Sequence, residues 1–235
     1  MEGVLTTADI FHFYREFEED IPKTTVNWRV YELVKRGILE RVGRGRFEWG
    51  SETSFIPVIE PKIQQLNSKI LSQFPFISYC LWDTEMIKPF RQHVPGSKFT
   101  LLDVEKDVLE SIFVFMKEFY SNIYLTPDKE MIDQYIITNK DSVIIRQLIS
   151  ESPIRNIQHV HTVTIEKMIV DIYSDVEFEY LKGSELLTII KNIFDRYTVN
   201  KSKLLRYANR KGQQKRIIKF LEDNNLIEPR FIHNK

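Results

Sequence analysis

The chain has 235 residues, 43% of them hydrophobic, and its 33 basic side chains match 33 acidic ones, so the formal charge is zero. That length supplies one large domain or two modest ones. No apolar run approaches the roughly 20 residues of a membrane span, and a single cysteine, Cys80, excludes an internal disulfide framework or a thiolate-rich zinc site. The opening MEGVLTTADI lacks the basic and apolar regions of a secretory signal, so a reducing cytoplasm is the expected compartment.

Zero net charge conceals an uneven distribution. Residues 1–22 carry one basic side chain, Arg15, against six acidic ones. Residues 23–46 carry seven basic side chains against Glu32 and Glu40, and residues 200–219 carry eight and no acid. Local fields reach a partner before the sum does. Two basic zones imply two surfaces, or one surface assembled from both.

In chain order, ADIFHFYREFEE (8–19) has apolar residues at helical spacing, with Thr7 as N-cap, and Ile21-Pro22 ends it. A second helix starts at Thr24, capped by Thr24 or Thr25 and stopped by Gly37. ILERV (38–42) and RFEW (46–49) form two short strands joined by a Gly43-Arg44-Gly45 turn. The small polar run 50–54 is the best linker. Strands at 76–82, 99–104, 122–126 and 142–149 then alternate with helices ending near 92 and spanning 107–119 and 127–136. That order predicts an α/β layer with partly parallel pairing. Helices at 164–173, 184–197, 201–211 and 213–224 follow, with Ser184 and Asn200 as N-caps and Gly212 as a stop. The expected class is α/β, α+β overall. Residues 1–50 form a winged helix-turn-helix, and residues 55–235 an α/β domain with a helical C-terminal part.

On the helix from Thr24, Val26, Val30, Leu33 and Val34 gather on the core side. Thr24, Thr25, Trp28, Lys35 and Arg36 lie opposite, Arg29 flanks them, and Asn27 sits nearer the core edge. Such a helix fits a major groove, where Asn and Arg read base edges and a helix start holds phosphate. Thr24, Thr25, Asn27, Trp28 and Arg29 are therefore the expected groove residues. Lys35 and Arg36 are the expected phosphate contacts, and Arg41, Arg44 and Arg46 the wing contacts. The C-terminal block offers a candidate second basic surface: Lys203, Arg206, Arg210 and Lys211 on one helix, Lys215, Arg216 and Lys219 on the next. A solvated helical pair explains that block equally well.

The phrase YELVKRGILERVGRGRFEW (31–49) resembles the end of the winged helix in the AbiEi-type antitoxin and transcriptional-regulator family. TVTIEKMIVDIY (162–173) and NKSKLLRYANRKGQQKRIIKFLED (200–223) are similar to that family's later helices. The resemblance implies a transcriptional regulator in an abortive-infection, phage-defence toxin–antitoxin pair. Such a protein binds inverted repeats of double-stranded DNA at its own promoter and counters a nucleotidyltransferase-like toxin. A homodimer is expected; membrane association, cofactors and catalysis are not.

Two alternatives stay open. A winged helix also serves as a protein-docking module. An enzyme would draw on Asp103 and Glu105, two carboxylates spaced to share a divalent metal as a nucleotidyltransferase or nuclease requires. Only five residues separate Ser97 from Asp103, too few for the intervening helix of the transferase layout. For a nuclease, Asp83 has only Glu60-Pro61-Lys62 as a partner, a poor strand interior. His159 and His161 lack a clear third ligand, and Cys80 inside FISYCLW reads as a buried inert thiol.

Overall fold

The computed structural model describes residues 4–35, 38–49, 54–92, 98–139 and 141–227. Strand β1 (Leu5–Thr6) runs straight into α1 (Thr7–Phe17). The N-cap is Thr6, one residue before the expected Thr7. Its hydroxyl accepts from the Asp9 N–H at 3.2 Å, and the Asp9 carboxylate accepts from the Thr6 N–H at 2.8 Å, a reciprocal capping box. Helix α2 (Lys23–Lys35) also begins earlier than expected. The Pro22 carbonyl accepts from the Thr25 and Val26 N–H groups, so Thr24 and Thr25 lie inside the first turn and do not cap it. The expected stop at Gly37 and linker residues 50–53 lie outside the described residues.

Strands β2 (Leu39–Gly43) and β3 (Arg46–Trp49) pair antiparallel, and β1 adds to β3, giving the order β1-β3-β2. The hairpin turn needs glycine at Gly45: φ is +68°, and a Cβ there would meet the Thr7 hydroxyl at 3.0 Å. The Thr7 N–H donates to the Gly45 carbonyl at 2.8 Å, which fastens the turn to the start of α1. This N-terminal unit has its own apolar core of Ile10, Ile21, Val26, Val30, Leu39 and Phe47.

The rest of the chain shares a second, larger core running from Phe55 to Ile227. Helix α3 (Pro61–Gln73) precedes β4 (Tyr79–Asp83). A 3₁₀ segment (Thr84–Phe90) leads to β5 (Phe99–Val104), and α4 (Leu109–Lys117) leads to β6 (Ile123–Leu125). One short turn, α5 (Lys129–Met131), opens into a π-helical turn before β7 (Ser142–Gln147). The sheet order is β4-β5-β7-β6, with β5, β7 and β6 parallel and β4 antiparallel at the edge. The partly parallel layer expected from the strand–helix alternation is therefore present, and the fold is α+β overall.

A hairpin of β8 (Ile154–Ile157) and β9 (Val160–Val163) follows, then α6 (Ile165–Ser174), a 3₁₀ turn (Val176–Leu181) and α7 (Ser184–Arg196). Helices α8 (Lys201–Arg210) and α9 (Gln214–Asp223) close the described chain. Asn200 caps α8 as expected, its side chain accepting from the Lys203 N–H at 2.9 Å. Gly183, with φ +98°, takes the capping position expected for Ser184. Among the described residues no helix is long and apolar enough to cross a membrane.

Because the two cores are separate, Phe47→Ala is expected to cost about 3–5 kcal/mol and to act locally. Amide hydrogen exchange should accelerate in α1, α2 and β2 while β5 and β7 keep their protection. Equal acceleration everywhere would contradict separate cores. A second test concerns Asp83, whose carboxyl burial and then nearby Glu60 push up to about 6 from 3.8. The folded value exceeds the unfolded one, so this contribution to stability is full below about pH 4 and lost as pH rises through about 6. Asp83→Asn keeps an acceptor for the Glu85 N–H. It is expected to raise unfolding free energy by about 1–3 kcal/mol near pH 8 and by nothing near pH 3.5; a pH-independent effect contradicts this assignment.

Candidate nucleic-acid interface and a buried ionic centre

At about 100° per residue, Thr24, Trp28 and Tyr31 share one face of α2. Trp28 is 63% exposed and Tyr31 61%, although indole and phenol rings are ordinarily covered. Thr24 and Asn27 are exposed, so Asn27 is more accessible than its expected place at the core edge; Thr25 is half-buried. Arg29 departs from expectation. Its Nη2 lies 2.9 Å from Glu18 Oε2 and its guanidinium sits 4.9 Å over the Tyr14 ring, so it joins α2 to α1 instead of facing outward. Lys35 ends the helix, and its side chain and Arg36 lie outside the described residues.

On the hairpin Arg41, Arg44 and Arg46 are exposed. The Arg41 guanidinium stacks 5.4 Å over the Phe47 ring, which orients it without neutralising it. Arg44 and Arg46 form no ion pair with any described residue.

The C-terminal basic block divides in three. Lys203 and Arg206 face Tyr31, Val34 and Arg41 across a groove of about 350 Å³ between α2, β2 and α8. The two basic zones of the sequence therefore meet. Arg210 is paired with Glu151, and Lys211 turns inward to Asp171 and Asp175. That corrects the expectation of an outward Lys211: it follows α8 as the helix ends over a buried carboxylate pair. Lys215, Arg216 and Lys219 are exposed on α9.

The N-terminal unit is joined to the body at the start of α8. The Lys201 N–H donates to Glu40 Oε1 at 3.4 Å, and the Ser202 hydroxyl donates to the Arg41 carbonyl at 3.1 Å. Burial pushes the Glu40 carboxyl up, against the pull of Lys201. A second carboxylate, Glu166, accepts from the Asn200 N–H at 3.1 Å. Both satisfy backbone donors that a helix start leaves open.

The opposite end of α8 enters an ionic cluster beyond the carboxyl ends of β5 and β7. Lys167 Nζ lies 2.6 Å from both Asp103 and Asp171, and Arg146 Nε lies 2.5 Å from Asp103. Arg146 also reaches Asp175 at 2.8 Å and Glu177 at 3.3 Å, and Lys211 reaches Asp171 at 2.9 Å. The Tyr207 hydroxyl donates to Asp171 at 2.9 Å. Burial opposes ionisation of Asp171, but Lys167, Lys211 and Arg146 outweigh it and hold the carboxyl well below its usual range. Burial likewise disfavours the Lys167 ammonium, yet Asp103 and Asp171 hold its pKa well above the ordinary value.

This arrangement decides how the enzyme-like motifs are read. Both oxygens of Asp103 are engaged by cationic side chains, while Glu105 is exposed, so the two do not form a shared metal site. His159 lies exposed in the β8–β9 turn and His161 stacks on Tyr79 at 5.1 Å, so they do not converge. Cys80 is fully buried and burial pushes its thiol up, as expected of an inert cysteine. Sequence reasoning missed the cluster. Its signal was Lys167 and Asp171 four residues apart on the otherwise apolar face of TIEKMIVDIY.

A helix–helix–hairpin unit joined to an α/β body through one helix, itself rooted in buried charge, defines a two-part α+β protein with a cationic outer edge. The chain belongs to a family of unknown function, DUF6577, which matches residues 25–227 and so takes in the hairpin, the whole body and all but the first two residues of α2. No curated protein matches it.

Removing one partner strands the others as buried uncompensated charge. Lys167→Met is therefore expected to cost about 3–5 kcal/mol near pH 7 in urea unfolding. Asp171 has a folded value below its unfolded one, so its contribution is present above about pH 4 and lost as pH falls. The deficit of Lys167→Met should accordingly shrink near pH 3. A loss under about 1 kcal/mol near pH 7 would contradict a stabilising role for the cluster.

Proposed function

We propose that this protein is a double-stranded-DNA-binding transcriptional regulator acting in the cytoplasm, with α1, α2 and the β2–β3 hairpin as its winged helix-turn-helix. One observation carries the reading. Trp28 is exposed on α2 beside a hairpin whose Arg44 and Arg46 form no ion pair with a described residue. In this reading Thr24, Asn27 and Trp28 approach the major groove, and Arg41, Arg44 and Arg46 hold the adjacent phosphates. The likeness of 31–49, 162–173 and 200–223 to AbiEi-type regulators extends the proposal. The chain would then act as an antitoxin at its own promoter repeats, countering a nucleotidyltransferase-like toxin, as a homodimer.

A second reading is favoured by an apolar groove of about 300 Å³ in the same unit, lined by Leu5, Ile10, Phe13, Leu33, Ile38 and Trp49. Exposed Phe13 and Trp49 beside such a groove suit protein docking. The two readings separate in one titration. DNA binding predicts that log affinity for a promoter duplex falls linearly with log salt, and that Arg44→Ala with Arg46→Ala flattens the slope by about 0.9 per lost phosphate contact. A slope indifferent to both arginines removes the hairpin from any DNA interface and favours docking.

A further inference from the structure

The seam between the N-terminal unit and the body is hollow. One lobe, about 460 Å³, is lined by Leu39, Glu40, Phe55, Thr164, Ile165 and Glu166 among others. The groove of about 350 Å³ bounded by Tyr31, Arg41 and Arg206 is a second lobe, and Val34, Asn200 and Lys203 line both. Small-ligand sites favour such seams and occupy roughly 300–1,000 Å³.

The lobes differ in chemistry. The first combines an apolar wall, Leu39, Phe55 and Ile165, with Thr164, two carboxylates and two cations, Lys203 and an Arg155 already bonded to the Phe55 carbonyl. The second brings three cations together from two elements, Arg41 from β2 and Lys203 and Arg206 from α8. Neither Lys203 nor Arg206 forms an ion pair with a described residue. At the junction the chain's own anions, Glu40 and Glu166, already sit on the backbone N–H groups that open α8.

We infer that this seam cleft is a binding site for a nucleoside monophosphate. Its phosphate lies among Arg41, Lys203 and Arg206, whose planar forks and ammonium suit a compact dianion. Its base lies against Leu39, Phe55 and Ile165, with Glu40 and Glu166 accepting from an exocyclic amine. Three clustered cations favour a phosphate in the second lobe and the apolar wall favours a nucleoside in the first, so a ligand carrying both spans the cleft. Bound there, it crosses the seam where Glu40 and Arg41 of the N-terminal unit bond to the start of α8.

Calorimetric titration of the full chain with AMP, adenosine and inorganic phosphate in turn tests the site. AMP is expected to bind at least about tenfold more tightly than either fragment. Arg206→Ala, an exposed change that should leave the melting temperature unaltered, is expected to weaken AMP about tenfold while leaving adenosine unchanged. Lys203→Ala, at the junction of the two lobes, should also weaken AMP. AMP no tighter than phosphate, or AMP affinity indifferent to Arg206→Ala, overturns the inference. So does a cleft that ignores AMP while a DNA duplex binding the same chain depends on Arg206, because the cations then serve the duplex. The site does not require duplex binding: a chain that binds AMP but no DNA retains this inference and loses only the proposed regulator role.

Discussion

Buried charge around Asp171 is the constraint on which the rest of the arrangement depends. Four carboxylates (Asp103, Asp171, Asp175, Glu177) and three cations (Arg146, Lys167, Lys211) leave water together, drawn from β5, β7, α6, the following 3₁₀ turn and the end of α8. Ions lose several kcal/mol each on such transfer and recover it only in good geometry with their remaining bonding capacity met. That requirement is directional in a way apolar packing is not. It fixes α8 through Tyr207 and Lys211, and the other end of α8 carries the N-terminal unit through Lys201 and Ser202. One helix therefore transmits the position of the two central strands to the cationic hairpin.

The cluster takes four carboxylates and three cations out of water together, so it leaves one negative charge in excess inside the body. Asp103, Asp171, Asp175 and Glu177 are used inside to neutralise Arg146, Lys167 and Lys211, and Glu18, just past the end of α1, binds Arg29. Arg41, Arg44, Arg46 and Arg206 stay exposed, and half-buried Lys203 faces the seam groove. A field built this way acts over about 10 Å at moderate salt, which suits contact with phosphate more than long-range steering.

Much of the scaffold was legible because local signals and tertiary demands agreed. Gly45 marked the hairpin, Asn200 the start of α8, and FTLLDV (99–104) the strand β5. Where local chemistry was silent the reading failed. The β8–β9 turn places Gln158 and His159 at positive φ without a glycine to announce it. Helix α3 begins at Pro61, a favoured first-turn position for proline, although Glu60-Pro61-Lys62 on its own signals only a poor strand interior. The site was legible in part. Exposure of Trp28 and the hairpin arginines followed from helical spacing and the turn. The inward roles of Arg29 and Lys211 did not, because each depends on an acid distant in sequence or on another helix.

The central claim is that α8, rooted in the ionic cluster, holds the cationic hairpin at a fixed attitude to the body. Spin labels at Arg44→Cys and Lys215→Cys measure that attitude directly, since buried Cys80 does not compete for the label. A single narrow distance distribution that broadens on Lys211→Ala is the predicted result. A broad distribution in the intact chain, or a narrow one indifferent to Lys211→Ala, would contradict the account.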